Sequence, residues 1–259
     1  MNKDNNTIPI LGIILAAGKG TRLKSKTTNK VTLPFLSKPL ILYSVELMEK
    51  MANQIIVVIG AFHESVKQVL KDKNVFYAYQ KKRLGTGHAV KVAIDEVKKQ
   101  GLLPKIILVG YGDHTMFYTP ADIKKLIAEH QKEKAVMSMI TVRYDNNEKL
   151  HWGYIIRDKN GQVVDSVEYK DTTEKIRKNL NELNAGFYCF DYDFLQKNLK
   201  KIPRSPITGE YYINSLVNIA TSQGLKVVGV EVPFSSVGIG INTKEELEES
   251  QKIYLQVKK

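Results

Sequence analysis

Cysteine is almost missing from this 259-residue chain: Cys189 stands alone, so no internal disulfide can form. It lies in the apolar run Gly186 to Phe190, reads as a small buried hydrophobe, and a reducing compartment follows as the default. No apolar stretch approaches the roughly 20 residues of a membrane span. Lys3 followed by Ile8 to Ala17 resembles the start of a signal peptide, but Asp4 cancels the charge and a glycine-rich segment stands where cleavage would fall. A soluble, cytoplasmic protein with no membrane partner is expected. Arginine is scarce, confined to positions 22, 83, 143, 157, 177 and 204, so the net charge of +12 is carried by lysine. The lysines sit in short, scattered clusters without interleaved aromatics, which argues against specific nucleic-acid binding and suits steering of small anions. Internal repeats, low-complexity tracts and long linkers are absent. With 43% hydrophobic residues the chain can bury a core unaided. One α/β domain over residues 1–259 is expected, as a monomer or small homo-oligomer.

What is present is an ordered set of polar turns after apolar runs. Ile8 to Ile14 reads as a buried parallel strand. Leu15-Ala16-Ala17-Gly18-Lys19-Gly20-Thr21-Arg22 follows it. Its small residues and glycines let the backbone approach a ligand, and Lys19 and Arg22 add cationic donors for phosphate. The spacing fits neither the Walker pattern nor the dinucleotide fingerprint. Helical and strand-like periods then alternate: Leu40 to Met51, Gln54 to Ile59, Ala61 to Leu70, Val75 to Tyr79, Ala89 to Lys99, Lys105 to Val109, Pro120 to Lys132 and Ala135 to Val142. This alternation predicts a doubly wound, mostly parallel, Rossmann-like α/β sheet with ligands outside its strand carboxyl ends.

The second half changes character. Tyr154 to Arg157 and Val163 to Glu168, joined by Asp158-Lys159-Asn160-Gly161, read as a hairpin, part of a β-rich insertion over about 150–190 that covers the active edge. Leu183 to Phe190 is a strand, Tyr211 to Gln223 a helix, Lys226 to Val232 a strand, and Thr243 with Glu246 caps a last helix.

Two turns carry chemistry of their own. Gln80, at the end of the third strand, offers a donor and an acceptor, as an imide-edged base such as uracil requires. Gly85-Thr86-Gly87 opens a helix whose free N–H groups suit a base or phosphate; the plain alternative is a capped loop. Asp113, in Gly110-Tyr111-Gly112-Asp113, is a carboxylate at a strand end, suited to partly hydrated Mg²⁺ or to a simple turn. His114 is a neighbour and not a ligand, because a hard oxygen site does not call for imidazole.

Taken together, these segments resemble the sugar-1-phosphate nucleotidyltransferase family, and within it the pyrophosphorylase domain of N-acetylglucosamine-1-phosphate uridyltransferases. The likeness runs from Leu15 to Asn242 through Leu15–Arg22, Lys30-Val31, Ser37–Leu40, Gln80 with Leu84–Ala89, Tyr111–Asp113, Trp152-Gly153, Val167–Asp171, Asn184–Gly186, Gly209–Tyr212 and Gly240–Asn242. The resemblance implies that Leu15, Ala16, Ala17, Gly18 and Lys19 bind the nucleotide with Gln80, Gly85 and Thr86. It implies that Arg22 and Lys30 balance triphosphate charge, that Asp113 and Asn242 hold Mg²⁺, and that Tyr111, Gly112, Gly153, Glu168 and Asn184 shape the sugar and ribose sites. Glu168 then accepts sugar hydroxyls and is no general base, since a sugar phosphate is already an anionic nucleophile. The implied reaction joins UTP and a sugar 1-phosphate, N-acetylglucosamine-1-phosphate first, with release of pyrophosphate. Departures fall around the acceptor: His114-Thr115-Met116 for the family's Val-Pro-Leu, Ala185 for threonine, Tyr154 for arginine; Asn29 replaces the proline before the lysine. The bifunctional relatives continue into a left-handed β-helix that acetylates; this chain is expected to lack it. Another sugar or polyol phosphate, another pyrimidine triphosphate, and a non-catalytic nucleotide-sugar sensor are the alternatives.

Overall fold

Strand β1, Ile10–Ala16, is buried along almost its whole length. Leu11, Ile13 and Leu15 enter one apolar cluster, Ile14 and Ala16 the other. That two-sided burial is why the strand reads as a continuous apolar run and not as an alternation. The computed structural model describes residues 8–20, 28–145 and 150–257.

A two-stranded ribbon, β2 (Pro34–Phe35) and β3 (Lys38–Pro39), leads into α1 (Leu40–Glu49). Then come β4 (Gln54–Ile59), α2 (His63–Val69), β5 (Phe76–Tyr79), α3 (Thr86–Lys99), β6 (Ile106–Tyr111), α4 (Pro120–Lys132) and β7 (Met137–Arg143). The hairpin β8 (Tyr154–Arg157) and β9 (Val163–Val167) precedes α5 (Glu174–Asn179), β10 (Glu182–Asp191), α6 (Tyr192–Asn198), α7 (Leu216–Ser222), β11 (Val227–Glu231) and α8 (Lys244–Val257).

The main sheet runs β11-β7-β10-β6-β1-β4-β5. Helices α3, α6 and α7 pack on one face, α1, α2 and α4 on the other, giving the doubly wound α/β architecture that the alternation predicts. The strands are parallel except β10, which is antiparallel to both β6 and β7. The reason is connectivity: β7 delivers the chain to the carboxyl edge, the hairpin is built there, and β10 re-enters from that edge. Strand β8 joins β10 at Leu183, and Arg157 of β8 clamps the buried Glu182 carboxylate through two bonds of 2.7 and 2.6 Å. That bidentate pair fixes the hairpin over the sheet edge.

Two helical predictions need adjustment. Helix α3 begins at Thr86, before Ala89. Tyr211 is not helical, because its main chain is engaged elsewhere: its N–H donates to Leu84 and its carbonyl accepts from Gly87. Helices α5 and α6, of 6 and 7 residues, are too short for an apolar period to declare them.

Candidate functional site

The chain leaves β1 toward β4 on one side while β6 pairs on the other, so a crevice opens at the carboxyl end of β1. A cavity of about 540 Å³ fills it, lined by Leu15 to Gly20, Lys30, Gln80, Gly85, Thr86, Tyr111, Asp113 and Asn242. Arg22 lies outside the described residues.

The turn after β1 is pinned by a residue the sequence reading noted only as a departure. Asn29 is fully buried, and its Nδ2 faces the carbonyls of Ala16, Gly18 and Ala61 at 2.8–3.1 Å. Its Oδ1 accepts from Val31 N–H. One side chain therefore ties the glycine-rich turn to the segment that carries Lys30. Asn29→Ala is expected to cost about 2–4 kcal/mol, since buried carbonyls lose their donor. Urea unfolding and nucleotide titration check this; an unchanged midpoint together with unchanged affinity would refute it.

The base end is shaped by Gln80 and the loop before α3. Gln80 is 4% exposed. Its Nε2 donates to the Gly85 carbonyl at 3.2 Å and meets His88 Nδ1 at 2.9 Å. Both amide N–H groups are thus held by the protein, so the expected donor to a base oxygen is committed internally and only Oε1 is left to accept. Gly85 has φ +102°, and a Cβ there would stand 2.5 Å from the Tyr211 carbonyl oxygen; only glycine passes. Thr86 lines the cavity, and its hydroxyl accepts from Ile213 N–H at 3.0 Å.

At the opposite end Lys30 Nζ pairs with the Asp113 carboxylate and donates to Asn242 Oδ1 at 3.2 Å and to the Ile241 carbonyl at 2.7 Å. Asn242 is held by the start of α8: Thr243 and Glu246 bond reciprocally, at 3.0 and 3.1 Å. The helix itself is docked through Tyr254, edge-on to Phe35 and Phe117 at 5.4 Å. A carboxylate and an amide oxygen contributed by distant segments therefore converge on one positive centre. Among the described residues no group of three or more His, Cys, Asp or Glu is placed to hold a metal. Two hard oxygens nonetheless fit a cation that keeps several waters, as Mg²⁺ does.

A second cavity of about 160 Å³ adjoins the first, sharing Tyr111, Asp113 and Asn242 and adding Gly153, Glu168, Asn184, His114, His151 and Trp152. Burial, with Asp171 and Glu210 nearby, pushes the Glu168 carboxyl up to about 7, so a hydroxyl donating to it would favour its ionised form. Asn184 is fixed by bonds to the Tyr188 hydroxyl (3.0 Å) and from Gly186 N–H (3.0 Å), at an irregularity in the β10–β7 register. Bulges of this kind re-aim side chains near sites. Gly186, at φ +75°, lets the Tyr111 ring lie where a Cβ would collide. Gly112 N–H donates to Leu15, and its missing side chain admits Val31. Gly153 packs tightly against Val167 and Asn214, so its small size serves the hairpin seat. Ala185 is fully buried.

The predicted site residues among those described line these two cavities, except Gly112, which lies in the chain between the lining residues Tyr111 and Asp113. The structure adds Asn29, His88, His114, His151 and Trp152, which sequence reasoning left without a role. The His114 ring lies 4.7 Å from Trp152, and burial lowers its pKa to about 4. His151 adopts φ +51°, a conformation uncommon outside glycine.

The crevice joins an amide-lined end at Gln80, a cationic centre at Lys30 and a smaller adjoining pocket, the layout of a doubly wound α/β protein with its candidate site outside the strand carboxyl ends. The chain belongs to the nucleotidyl transferase family, whose model matches residues 11–233. The bifunctional protein GlmU of Caldicellulosiruptor saccharolyticus is 39% identical over 237 residues, covering 91% of this chain and 50% of that protein. GlmU of Clostridium acetobutylicum is 36% identical over 237 residues, with the same coverage of 91% and 50%. The chain spans about half the length of the curated relatives it matches. A UDP-glucose pyrophosphorylase complexed with UDP-glucose superposes with a TM-score of 0.73 at 20% identity, covering 96% of this chain and 99% of that one. A CMP:2-keto-3-deoxy-manno-octonic acid synthetase complexed with CTP gives 0.70 at 16%, with coverage of 96% and 99%. Both share the fold. No helix among the described residues is long and apolar enough to cross a membrane.

Proposed function

We propose that this protein transfers a uridylyl group from UTP to a sugar 1-phosphate, with N-acetylglucosamine-1-phosphate the preferred acceptor, releasing pyrophosphate. One observation carries the reading: the nucleotide-sized and acceptor-sized cavities meet at Asp113 and Asn242, beside Lys30. The α-phosphate of a nucleotide whose base sits near Gln80 would lie at that junction, within reach of a sugar phosphate seated by Glu168 and Asn184.

The reaction asks for positioning and charge neutralisation. A sugar-phosphate oxygen attacks the α-phosphorus in line, the bond to the β-phosphate oxygen breaks, and no proton need move. Leu15 to Lys19 offer main-chain and cationic donors to the nucleotide, with Gly85 and Thr86 closing over it. Lys30 and Arg22 balance charge that develops on the triphosphate. Tyr111 lines both pockets with Gly112 beside it, Gly153 seats the hairpin wall, and Glu168 and Asn184 orient hydroxyls. Asp113 and Asn242 would hold Mg²⁺, which supplies Lewis-acid neutralisation at phosphate oxygen when bound.

Pyrophosphate release across a panel of nucleoside triphosphates and sugar phosphates tests this. UTP is expected to exceed CTP in kcat/KM by about 10² or more, since a mismatched base leaves buried polar groups unpaired. TTP should be rejected less, because its imide edge is the same. Binding of UDP-sugars without turnover of any pair would point instead to a sensor.

A further inference from the structure

The orientation of the Gln80 amide is not free. A carbonyl can only accept, so the atom facing Gly85 at 3.2 Å is the amide nitrogen and not its oxygen. With the amide so placed, His88 Nδ1 at 2.9 Å must accept the second N–H, which leaves the imidazole proton on Nε2. Burial and Lys91 both lower the His88 pKa, Asp95 opposing them, so the neutral ring that can accept is favoured. No donor among the described residues engages Gln80 Oε1. Turning the amide over would set its oxygen against the Gly85 carbonyl, which can only accept, and would require the His88 proton to move to Nδ1. Gly85 is held by its own contacts with Tyr211; His88 is the side-chain half of the lock.

We propose that His88 is a positioning residue for base recognition: by accepting from Gln80 it presents the amide oxygen to the cavity and so selects pyrimidines that carry an N3–H donor. Cytosine, whose N3 is an acceptor, meets a like group there. This rests on the reading of the larger cavity as the nucleotide site.

The test is equilibrium titration of wild type, His88→Leu and His88→Asn with UTP and with CTP, in Mg²⁺ buffer without any sugar phosphate. The two variants differ mainly in whether an acceptor stands near the Nδ1 position. Wild type is expected to prefer UTP by about 10², His88→Leu to lose about tenfold of that ratio, and His88→Asn to keep most of it. A purely structural role would weaken both nucleotides alike, and an unchanged UTP/CTP ratio in His88→Leu, or equal ratios in the two variants, would overturn the proposal. A wrong acceptor assignment leaves this measurement intact. Wild type binding CTP as tightly as UTP would overturn the base reading and His88's part in it together.

Discussion

Asp113→Asn is expected to lower kcat by about 10³-fold or more while the protein stays folded, and EDTA should do the same to the wild type. The substitution keeps an oxygen at nearly the same place and removes its charge, so it separates cation holding from shape. Several kcal/mol of transition-state stabilisation are attributable to a metal on transferring phosphate, and each 1.4 kcal/mol is about tenfold in rate. A structural side effect accompanies the change. Lys30 loses its ionic partner, and both side chains are mostly sheltered, at 14% and 17% exposure. Thermal unfolding should register a modest drop, because Lys30 keeps its bonds to Ile241 and Asn242. Full activity in EDTA, or a wild-type kcat for Asp113→Asn, would dissolve the assignment of Asp113 and Asn242 to a cation.

Lys30→Ala should lower kcat by about 10²–10³, or about 3–4 kcal/mol, because a preorganised cation is lost where phosphate charge develops. Its ammonium is held by three oxygens from two distant segments, so it arrives at the site without having to be ordered by substrate. The kinetic split is diagnostic. An unchanged kcat with a raised KM for UTP would mean that Lys30 binds ground state and transition state equally. Removing Lys30 also leaves Asp113 without a fixed counter-charge, so a double variant with Asp113→Asn should show less than the product of the two single losses.

Much of the architecture was legible along the chain because its signals are local. The run at β1, the alternation through α4, the capping at Thr243 and the turn at Asp158–Gly161 each depend on residues within a few positions of one another. Residues 15–20, Gln80, Gly85, Thr86 and Asp113 were legible for a related reason: in a parallel sheet every strand ends on the same edge, so polar turns after successive strands must gather there. Lys30, Glu168, Asn184 and Asn242 carried no such mark. Alone each is an ordinary polar residue, and only the ordered resemblance singled them out.

What the sequence determined by itself is the doubly wound α/β class, the edge where the candidate site lies, and the chemical types gathered there. Tertiary structure alone decided that β10 runs against its neighbours, that Asn29 pins the glycine-rich turn, and that Asn242 reaches Lys30, the partner of Asp113, from more than two hundred residues away. It also decided which way Gln80 faces. An amide carries donor and acceptor in nearly the same shape, and composition cannot say which is turned outward; that depends on the Gly85 carbonyl and His88, brought within about 3 Å by the fold. Local patterning sets elements because their hydrogen bonds close over a few residues. Polar sites close over the whole chain, and their geometry exists only once the core has packed.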